Sequence, residues 1–362
     1  MTTVTSGTLA EFIEEIVAPD PGWLKRAHAR LDSLTKPLGS LGRLEDIAAR
    51  FVAIRNGESL WPLNKAAYVF AADHGVVAEG VSAYPQEVTQ QMVLNFLREG
   101  AAINVLAKLH HADLTIVDVG VNAEFGDLPG LLSRKIRRST RNMLHEPAMT
   151  EDEMLLSMQI GLELAAEARE KRQSLVAVGE MGIGNTTSAS VITALLTGLP
   201  ATAVTGKGTG LDARAHERKI HVVDAVIEKH FGKNSRIDAL SPLDILQRVG
   251  GLEIAAMVGM VLGAARHQIP IVADGFISTA AAALAVVVRP QAREYLFAGH
   301  CSKEPGHRFL LEHLGLEPIL SLDMRLGEGT GAILAMPIIE SALRLYSDMA
   351  TFASAGVSEA QA

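Results

Sequence analysis

Apolar residues in three parts of the chain recur at the spacing of an α-helix. In the first sixty residues they lie three or four positions apart, which places them on one face of an amphipathic helix: Leu41, Leu44, Ile47, Phe51 and Ile54. The same spacing predicts helices in Met154–Ala165 and between residues 330 and 346. Helices are therefore expected at both ends of the chain.

A different pattern begins at Ala66, where short apolar runs stop abruptly at a glycine, an acid or a histidine. Several such runs occur, each followed by a helical stretch: 66–73, 114–119, 175–178, 269–273 and 295–298. This alternation is typical of a parallel sheet that helices cover on both faces. Because parallel strands share one direction, the polar residues after these runs should meet at one edge of the sheet, where α/β proteins bind ligands.

These patterns predict an α/β protein with a parallel, Rossmann-like sheet and with helices from both termini packed beside it. The large sheet domain is expected over residues 63–305. Residues 1–62 and 306–362 are expected to form a small helical domain, with Glu328 at the junction of the two.

The composition limits the class of protein. Apolar residues make up 48% of the 362 residues and charged residues 20%, which is ordinary for a globular protein and excludes bulk disorder. The net charge of -8 argues against a nucleic-acid partner, since phosphate backbones are bound by basic surfaces. Cys301 is the only cysteine, so no disulfide can form within the chain.

The sequence also favours a cytoplasmic protein without membrane insertion. Its amino terminus lacks the basic and apolar regions of a signal peptide. The longest apolar stretches, Ile254–Ala265 and Ala280–Val288, are too short to cross a bilayer as helices. A single cysteine suits a reducing compartment.

The first candidate binding loop is Gly179–Thr187, which follows a predicted strand. Its three glycines permit close approach of the backbone to a ligand, and the N–H groups of the helix after it attract phosphate. A tight turn with a hydroxyl N-cap explains the same residues equally well. The local sequence leaves both interpretations open.

A second glycine-rich loop spans Thr205–Leu211. It does not meet the G-x-G-x-x-G pattern of dinucleotide-binding folds, and no aspartate follows at the expected distance, which argues against a nicotinamide-dependent oxidoreductase. Lys219, on the helix predicted after this loop, is either a phosphate ligand or a lysine that solvates a helix face.

Three further segments carry polar or ionisable groups. Residues 300–307 hold four potential zinc ligands, but a Pro-Gly pair and the single cysteine favour a loop at a strand end over a metal site. Glu328 lies between two glycines before a helix, where it either faces a ligand or only interacts with the helix dipole. Ser82, Tyr84 and Gln90 lie either along a pocket or on an exposed turn.

Taken together and in order, eight segments resemble those of the nicotinate-nucleotide:dimethylbenzimidazole phosphoribosyltransferases, enzymes of cobalamin nucleotide-loop assembly. They extend from about residue 30 to about residue 340: LTKPLGSLGRLEDIA, ADHGVVAEGVSAYPQEVTQQM, GEMGIGNTTSAS, GKGTGLD, GGLEIAAMVG, VADGFISTAAA, AGHCSKEPGH and MRLGEGTGA.

The resemblance implies a homodimer that acts on small molecules without a cofactor or a metal ion. Nicotinate mononucleotide and 5,6-dimethylbenzimidazole would give nicotinate and α-ribazole 5′-phosphate. Glu328 is the implied general base. The implied contacts of the acceptor base are Ser82, Tyr84, Gln90 and Leu326. The implied contacts of ribose and phosphate are Glu180, Gly182, Gly208, Lys219 and Ser302.

The second loop departs from the family pattern at two positions. Lys207 and Ala213 stand where an arginine and an aspartate are more usual, so no specific role is expected of these two side chains. A nucleotide-binding regulator that has lost the chemistry is the alternative to an enzyme. Glu328 with both of its glycines argues against that alternative.

Overall fold

The computed structural model describes residues 6–208, 210–232 and 240–358. Three helices come first: α1 (Ser6–Glu14), α2 (Pro21–Asp32) and α3 (Arg43–Ile54). The strands are β1 (Lys65–Ala72), β2 (Ala112–Gly120), β3 (Leu131–Ser133), β4 (Leu175–Met181), β5 (Ile271–Ala273), β6 (Leu296–His300) and β7 (Pro318–Leu320). Short 3₁₀ helices occupy Gly75–Glu79 and Pro290–Tyr295.

The other helices connect the strands or follow the last of them. Before β5 they are α4 (Glu87–Leu97), α5 (Ala102–Leu109), α6 (Glu151–Glu170), α7 (Asn185–Thr197), α8 (Ala201–Val204), α9 (Ala213–Phe231), α10 (Pro242–Val249) and α11 (Leu252–Arg266). After β5 they are α12 (Phe276–Val288), α13 (Pro305–Leu314), α14 (Thr330–Asp348) and α15 (Phe352–Ala355). In the described ranges, no helix combines the length and apolar character needed to cross a membrane.

The strands form one parallel sheet in the order β3-β2-β1-β4-β5-β6-β7. Central strand β1 is buried along its whole length, and helices such as α11 and α14 pack against the sheet. The order of strands reverses between β1 and β4, and α/β sheets bind ligands near such a reversal, at the carboxyl ends of the strands. The predicted parallel α/β architecture is confirmed.

The five apolar runs of the sequence correspond to the long and central strands β1, β2, β4, β5 and β6. The two edge strands, β3 and β7, were not predicted. Each has only three residues, and none of these is fully buried, so neither strand produces an extended apolar run.

Helix α11 is buried from Leu252 to Ala265 and crosses α6 at two glycines. A Cβ atom on Gly161 would lie 2.0 Å from the Ala256 carbonyl oxygen, and one on Gly259 would lie 2.0 Å from that of Met158. No side chain fits at either glycine, so the two helix backbones are in direct contact.

Helices from the two termini pack together, with α3 against α14. The Arg30 guanidinium donates to the carbonyl oxygens of Tyr346 and Ser347 at 2.8 and 2.9 Å, near the carboxyl end of α14. The chain after residue 305 also contributes β7 to the sheet and packs α14 against it. The predicted domain boundary at residue 305 therefore stays a prediction.

Candidate active site

A cavity of about 430 Å³ lies where β4, β5 and β6 end. Its walls come from the two glycine-rich loops, the loops after β5 and β6, and the turn before α14. The cavity is lined by several of the predicted site residues: Tyr84, Glu180, Gly182, Gly208, Ser302 and Leu326. The expected meeting of strand-end loops at one edge of the sheet is observed.

The first glycine-rich loop joins β4 directly to α7. Gly182 packs on β1, since a Cβ atom there would lie 2.4 Å from the Ala72 carbonyl oxygen. The N-cap of α7 is Gly184, with φ of 99°, and no side chain caps the helix. The interpretation as a turn with a hydroxyl N-cap is therefore wrong. The start of α7, at Asn185 and Thr186, lines the cavity.

Lys219 is fully buried, so it does not solvate a helix face. Its Nζ donates to Thr186 Oγ1 at 2.7 Å and would lie 3.2 Å from a Cβ atom on Gly208. Burial lowers the pKa of Lys219 to about 8, an effect that the charge of Glu304 opposes. Among the described residues, no carboxylate lies within ion-pair distance of Nζ. Lys219 is thus a buried cation without a paired anion that does not itself line the cavity but lies directly behind two residues of its wall, Thr186 and Gly208.

Glu328 occupies a turn that few residues other than glycine adopt. Its φ is 65°, and those of Gly327 and Gly329 are 89° and 92°. A non-glycine residue in this region costs about 1–3 kcal/mol, a strain typical of functional sites. The turn packs on β4, since a Cβ atom on Gly179 would lie 2.5 Å from the Glu328 carbonyl carbon.

The Glu328 carboxyl group is buried, and its Oε2 has no hydrogen-bond partner in the described part of the chain. Its pKa is raised to about 7, mainly by burial and also by the nearby charge of Asp274, although a hydrogen bond from the Ile103 backbone acts in the opposite direction. Glu328 does not itself line the cavity, but its neighbour Gly327 does. A carboxyl group with a pKa near neutrality can accept a proton in catalysis.

Glu180 lies against the same turn. Its Oε1 would be 2.5 Å from a Cβ atom on Gly327, and its Oε2 accepts a hydrogen bond from Asn185 Nδ2. Burial raises the pKa of Glu180 to about 8, and the charges of nearby carboxylates, Glu253 among them, add to this effect. The protonated form of Glu180 is therefore favoured at neutral pH, while the pKa of Glu328 lies close to neutrality.

Only residues 301–304 of the segment 300–307 form the predicted loop, since His300 ends β6 and the Pro-Gly pair at 305–306 starts α13. The Ser302 N–H donates to His307 Nδ1 at 2.9 Å, and burial lowers the pKa of His307 to about 3. The ring is therefore neutral with its proton on Nε2, which donates to Thr279 Oγ1 at 2.9 Å. Within the described ranges, no three His, Cys, Asp or Glu side chains group as metal ligands.

Two predicted base contacts, Ser82 and Gln90, do not line the cavity. Ser82 Oγ instead accepts a hydrogen bond from the backbone of Tyr84 at 3.2 Å. Sequence reasoning gave no role to several lining residues: Asn185, Thr186, Glu304 and Arg325. Each belongs to a segment that the sequence singled out, but its contacts, such as that of Arg325 with the Gly208 carbonyl at 2.9 Å, depend on the fold.

Known proteins resemble this chain along nearly its whole length. A family profile described as Phosphoribosyltransferase matches residues 16–357. Relatives from Geobacter metallireducens and Geobacter sulfurreducens, both named nicotinate-nucleotide–dimethylbenzimidazole phosphoribosyltransferase, are 51% and 49% identical. The alignments cover 96% and 97% of this chain and 98% of each relative.

A solved structure of a protein with the same name is also similar to this chain. The crystal structure of the enzyme of this name from Thermus thermophilus superposes with a TM-score of 0.87 at 47% identity. The match covers 94% of this chain and 100% of that one. The chain therefore belongs to the nicotinate-nucleotide–dimethylbenzimidazole phosphoribosyltransferase family.

Proposed function

We propose that this phosphoribosyltransferase moves the 5-phosphoribosyl group of nicotinate mononucleotide onto 5,6-dimethylbenzimidazole with inversion at C1′. The products are α-ribazole 5′-phosphate and nicotinate, and the reaction belongs to cobalamin biosynthesis. The names of the relatives supply the two substrates. The observation that carries the chemistry is Glu328, a buried carboxyl group with one unpartnered oxygen beside the cavity.

The transfer needs a proton acceptor more than it needs an electrophile. As a nitrogen of the benzimidazole attacks C1′, the bond from C1′ to the nicotinate nitrogen breaks, and its electron pair neutralises the cationic pyridinium ring. The N–H on the other benzimidazole nitrogen becomes acidic, and its proton passes to the Glu328 carboxylate. A positioned general base contributes ~10²–10⁴ in rate.

Lys219 supplies the charge that a nucleotide phosphate requires. Its ammonium group is buried behind Thr186 and Gly208, both of which line the cavity. Ser302 lines the same cavity, from the loop after β6. We assign the phosphate to this corner, where a dianion would pair with the otherwise unpaired Lys219. Charge-assisted hydrogen bonds of this kind are short and strong.

The acceptor base is an apolar, planar ring, and the cavity offers apolar contacts for it. Met181, Phe276 and Ile277 contribute to the lining. Leu326 and Tyr84 line it as well, although 56% and 51% of their surfaces are exposed in the single chain. Inversion places the base and nicotinate on opposite faces of the ribose.

A product assay tests the proposed function. Incubation with nicotinate mononucleotide and dimethylbenzimidazole should release nicotinate and form one nucleotide, with the α configuration at C1′ by proton NMR. Release of nicotinate should need the base. Binding of the nucleotide without any release would instead identify a regulator, and a β product would contradict inversion.

The shifted pKa values of Glu328, Glu180 and Lys219 predict a bell-shaped dependence of kcat/KM on pH. The pKa of Glu328 is raised to about 7, so its basic form, and with it the rate, should increase as the pH rises through 7. Lys219 loses its charge and Glu180 gains one near pH 8, and both changes should weaken phosphate binding above that pH. Steady-state rates from about pH 5 to about pH 9 check this; a flat profile across pH 7 would remove Glu328 as the base.

We also propose that the protein is a cytoplasmic homodimer with the domain boundaries predicted above. Tyr84 and Leu326 support the homodimer, because these apolar side chains border the cavity and stay more than half exposed in one chain. A second copy would cover them. Light scattering after size-exclusion chromatography measures the mass, and a monomer would contradict the proposal.

A further inference from the structure

Asp274 is a buried acid that the mechanism above does not use. It follows β5, at the edge of the sheet where the strand-end loops meet, and only 1% of its surface is exposed. Its Oδ2 accepts a hydrogen bond from the Gly329 N–H at 3.0 Å, and its Oδ1 accepts one from the Ala332 N–H at 2.9 Å. Both donors belong to the start of α14, directly after Glu328.

These two bonds replace a cap that the helix lacks. The N-cap of α14 is Gly329, which has no side chain to accept hydrogen bonds from the first turn. Asp274 accepts them from the end of a strand that lies 55 positions earlier in the chain. These hydrogen bonds attach the strained turn that carries Glu328 to the end of β5, and the turn also packs against Gly179 of β4.

His300, at the end of β6, completes the arrangement. Its Nε2 lies 3.9 Å from Asp274 Oδ1. Its ring packs against the first turn of α14, since a Cβ atom on Gly331 would lie 2.0 Å from His300 Cδ2. His300 also lines the cavity. Asp274 is thus held between the helix start and a side chain of the cavity wall.

We propose that Asp274 is a positioning residue that holds the Glu328 carboxylate in its reactive orientation. The inference rests on the proposed role of Glu328 as general base. Asp274 touches no substrate and acts only through the turn. Its removal should therefore lower the rate of transfer without weakening the binding of the nucleotide.

The charge of Asp274 has a second consequence at this site. It contributes to the raised pKa of Glu328, so a neutral residue at position 274 should lower that pKa. The other titratable groups near the turn are Glu180 from β4 and His300 from β6, with Glu253 of α11 acting on Glu180. Asp274 also contributes to the raised pKa of Glu180, so that pKa should fall as well in a variant with a neutral residue at position 274.

Asp274→Asn in the full chain tests the proposal, because Asn keeps the shape and one acceptor oxygen. We expect kcat to fall by about 10²-fold, the effect of a misplaced catalytic group, with KM for nicotinate mononucleotide unchanged. The acid limb of the kcat/KM profile should move to lower pH. Asp20→Asn is the matched control, since Asp20 caps α2 at an exposed site and its replacement should leave kcat and the limb unchanged.

A double variant separates this inference from the proposed function. In a Glu328→Gln background, Asp274→Asn should cost little further turnover, because the group that it positions is already gone. Asp274→Asn with a lower Tm, a normal kcat and an unmoved acid limb would show that Asp274 only caps α14. A normal kcat for Glu328→Gln alone would instead refute the general base, whatever the Asp274 variants do.

Discussion

Glu328→Gln should lower kcat by about 10²-fold or more while the fold and the affinity for nicotinate mononucleotide are retained. Glutamine keeps the shape and a hydrogen-bonding end, but it cannot accept the proton of the benzimidazole at neutral pH. The acid limb near pH 7 should disappear together with the rate, because the group whose pKa is raised to about 7 has been removed. Steady-state kinetics across pH measure both effects.

The control for this variant is Glu312→Gln, which replaces an exposed carboxylate on α13 that pairs with Arg308. It should leave kcat unchanged. If Glu328 only interacted with the start of α14, Glu328→Gln would cost about 1 kcal/mol of stability and little rate. A lowered Tm with near-normal turnover would therefore remove Glu328 as the base.

Lys219→Met should raise KM for nicotinate mononucleotide by roughly 10- to 150-fold, with a much smaller change in kcat. The range follows from a charge-assisted hydrogen bond to phosphate, which is worth about 1.5–3 kcal/mol. Methionine fills the buried space of Lys219 without its charge, so the fold should persist. The alkaline limb of the pH profile should also shrink, because one of its two contributors is gone.

Lys229→Met provides the comparison, since Lys229 is exposed in the last turn of the same helix, α9. It should change neither constant. A Lys219→Met protein with normal KM would place the phosphate elsewhere in the cavity. A ribose analogue without phosphate should bind the two proteins with a smaller difference than the nucleotide does.

The architecture could be predicted from the sequence because parallel strands that are buried on both faces appear in it as continuous apolar runs. Long apolar runs mark β1, β2 and β4, and their polar endings indicate the edge where the loops gather. The edge strands β3 and β7 show no such apolar run, because they are short strands that hydrogen-bond to one neighbouring strand and are not fully buried. The resemblance to a known family supplied the chemistry that periodicity could not.

The site was predicted less completely than the fold, for a physical reason. The burial of Lys219 and the protonation of Glu180 depend on chain segments far apart in sequence. Asp274 lies within one of the eight matching segments but received no role, because its partners, Gly329 and Ala332, lie 55 and 58 positions away. A local pattern shows which groups are present, and only the fold shows which of them share a proton or a charge.

The glycine contact between α6 and α11 affects the interpretation of a mutational scan of this protein. Gly161 and Gly259 leave no room for a methyl group, so nearly every substitution there should deplete the variant as strongly as a change at Glu328. The causes differ. Substitutions at the glycines would lower the abundance of folded protein in the cell, whereas substitutions at Glu328 would lower the activity of each protein molecule. A selection scored by growth alone would merge these two classes, and a parallel measurement of abundance would separate them.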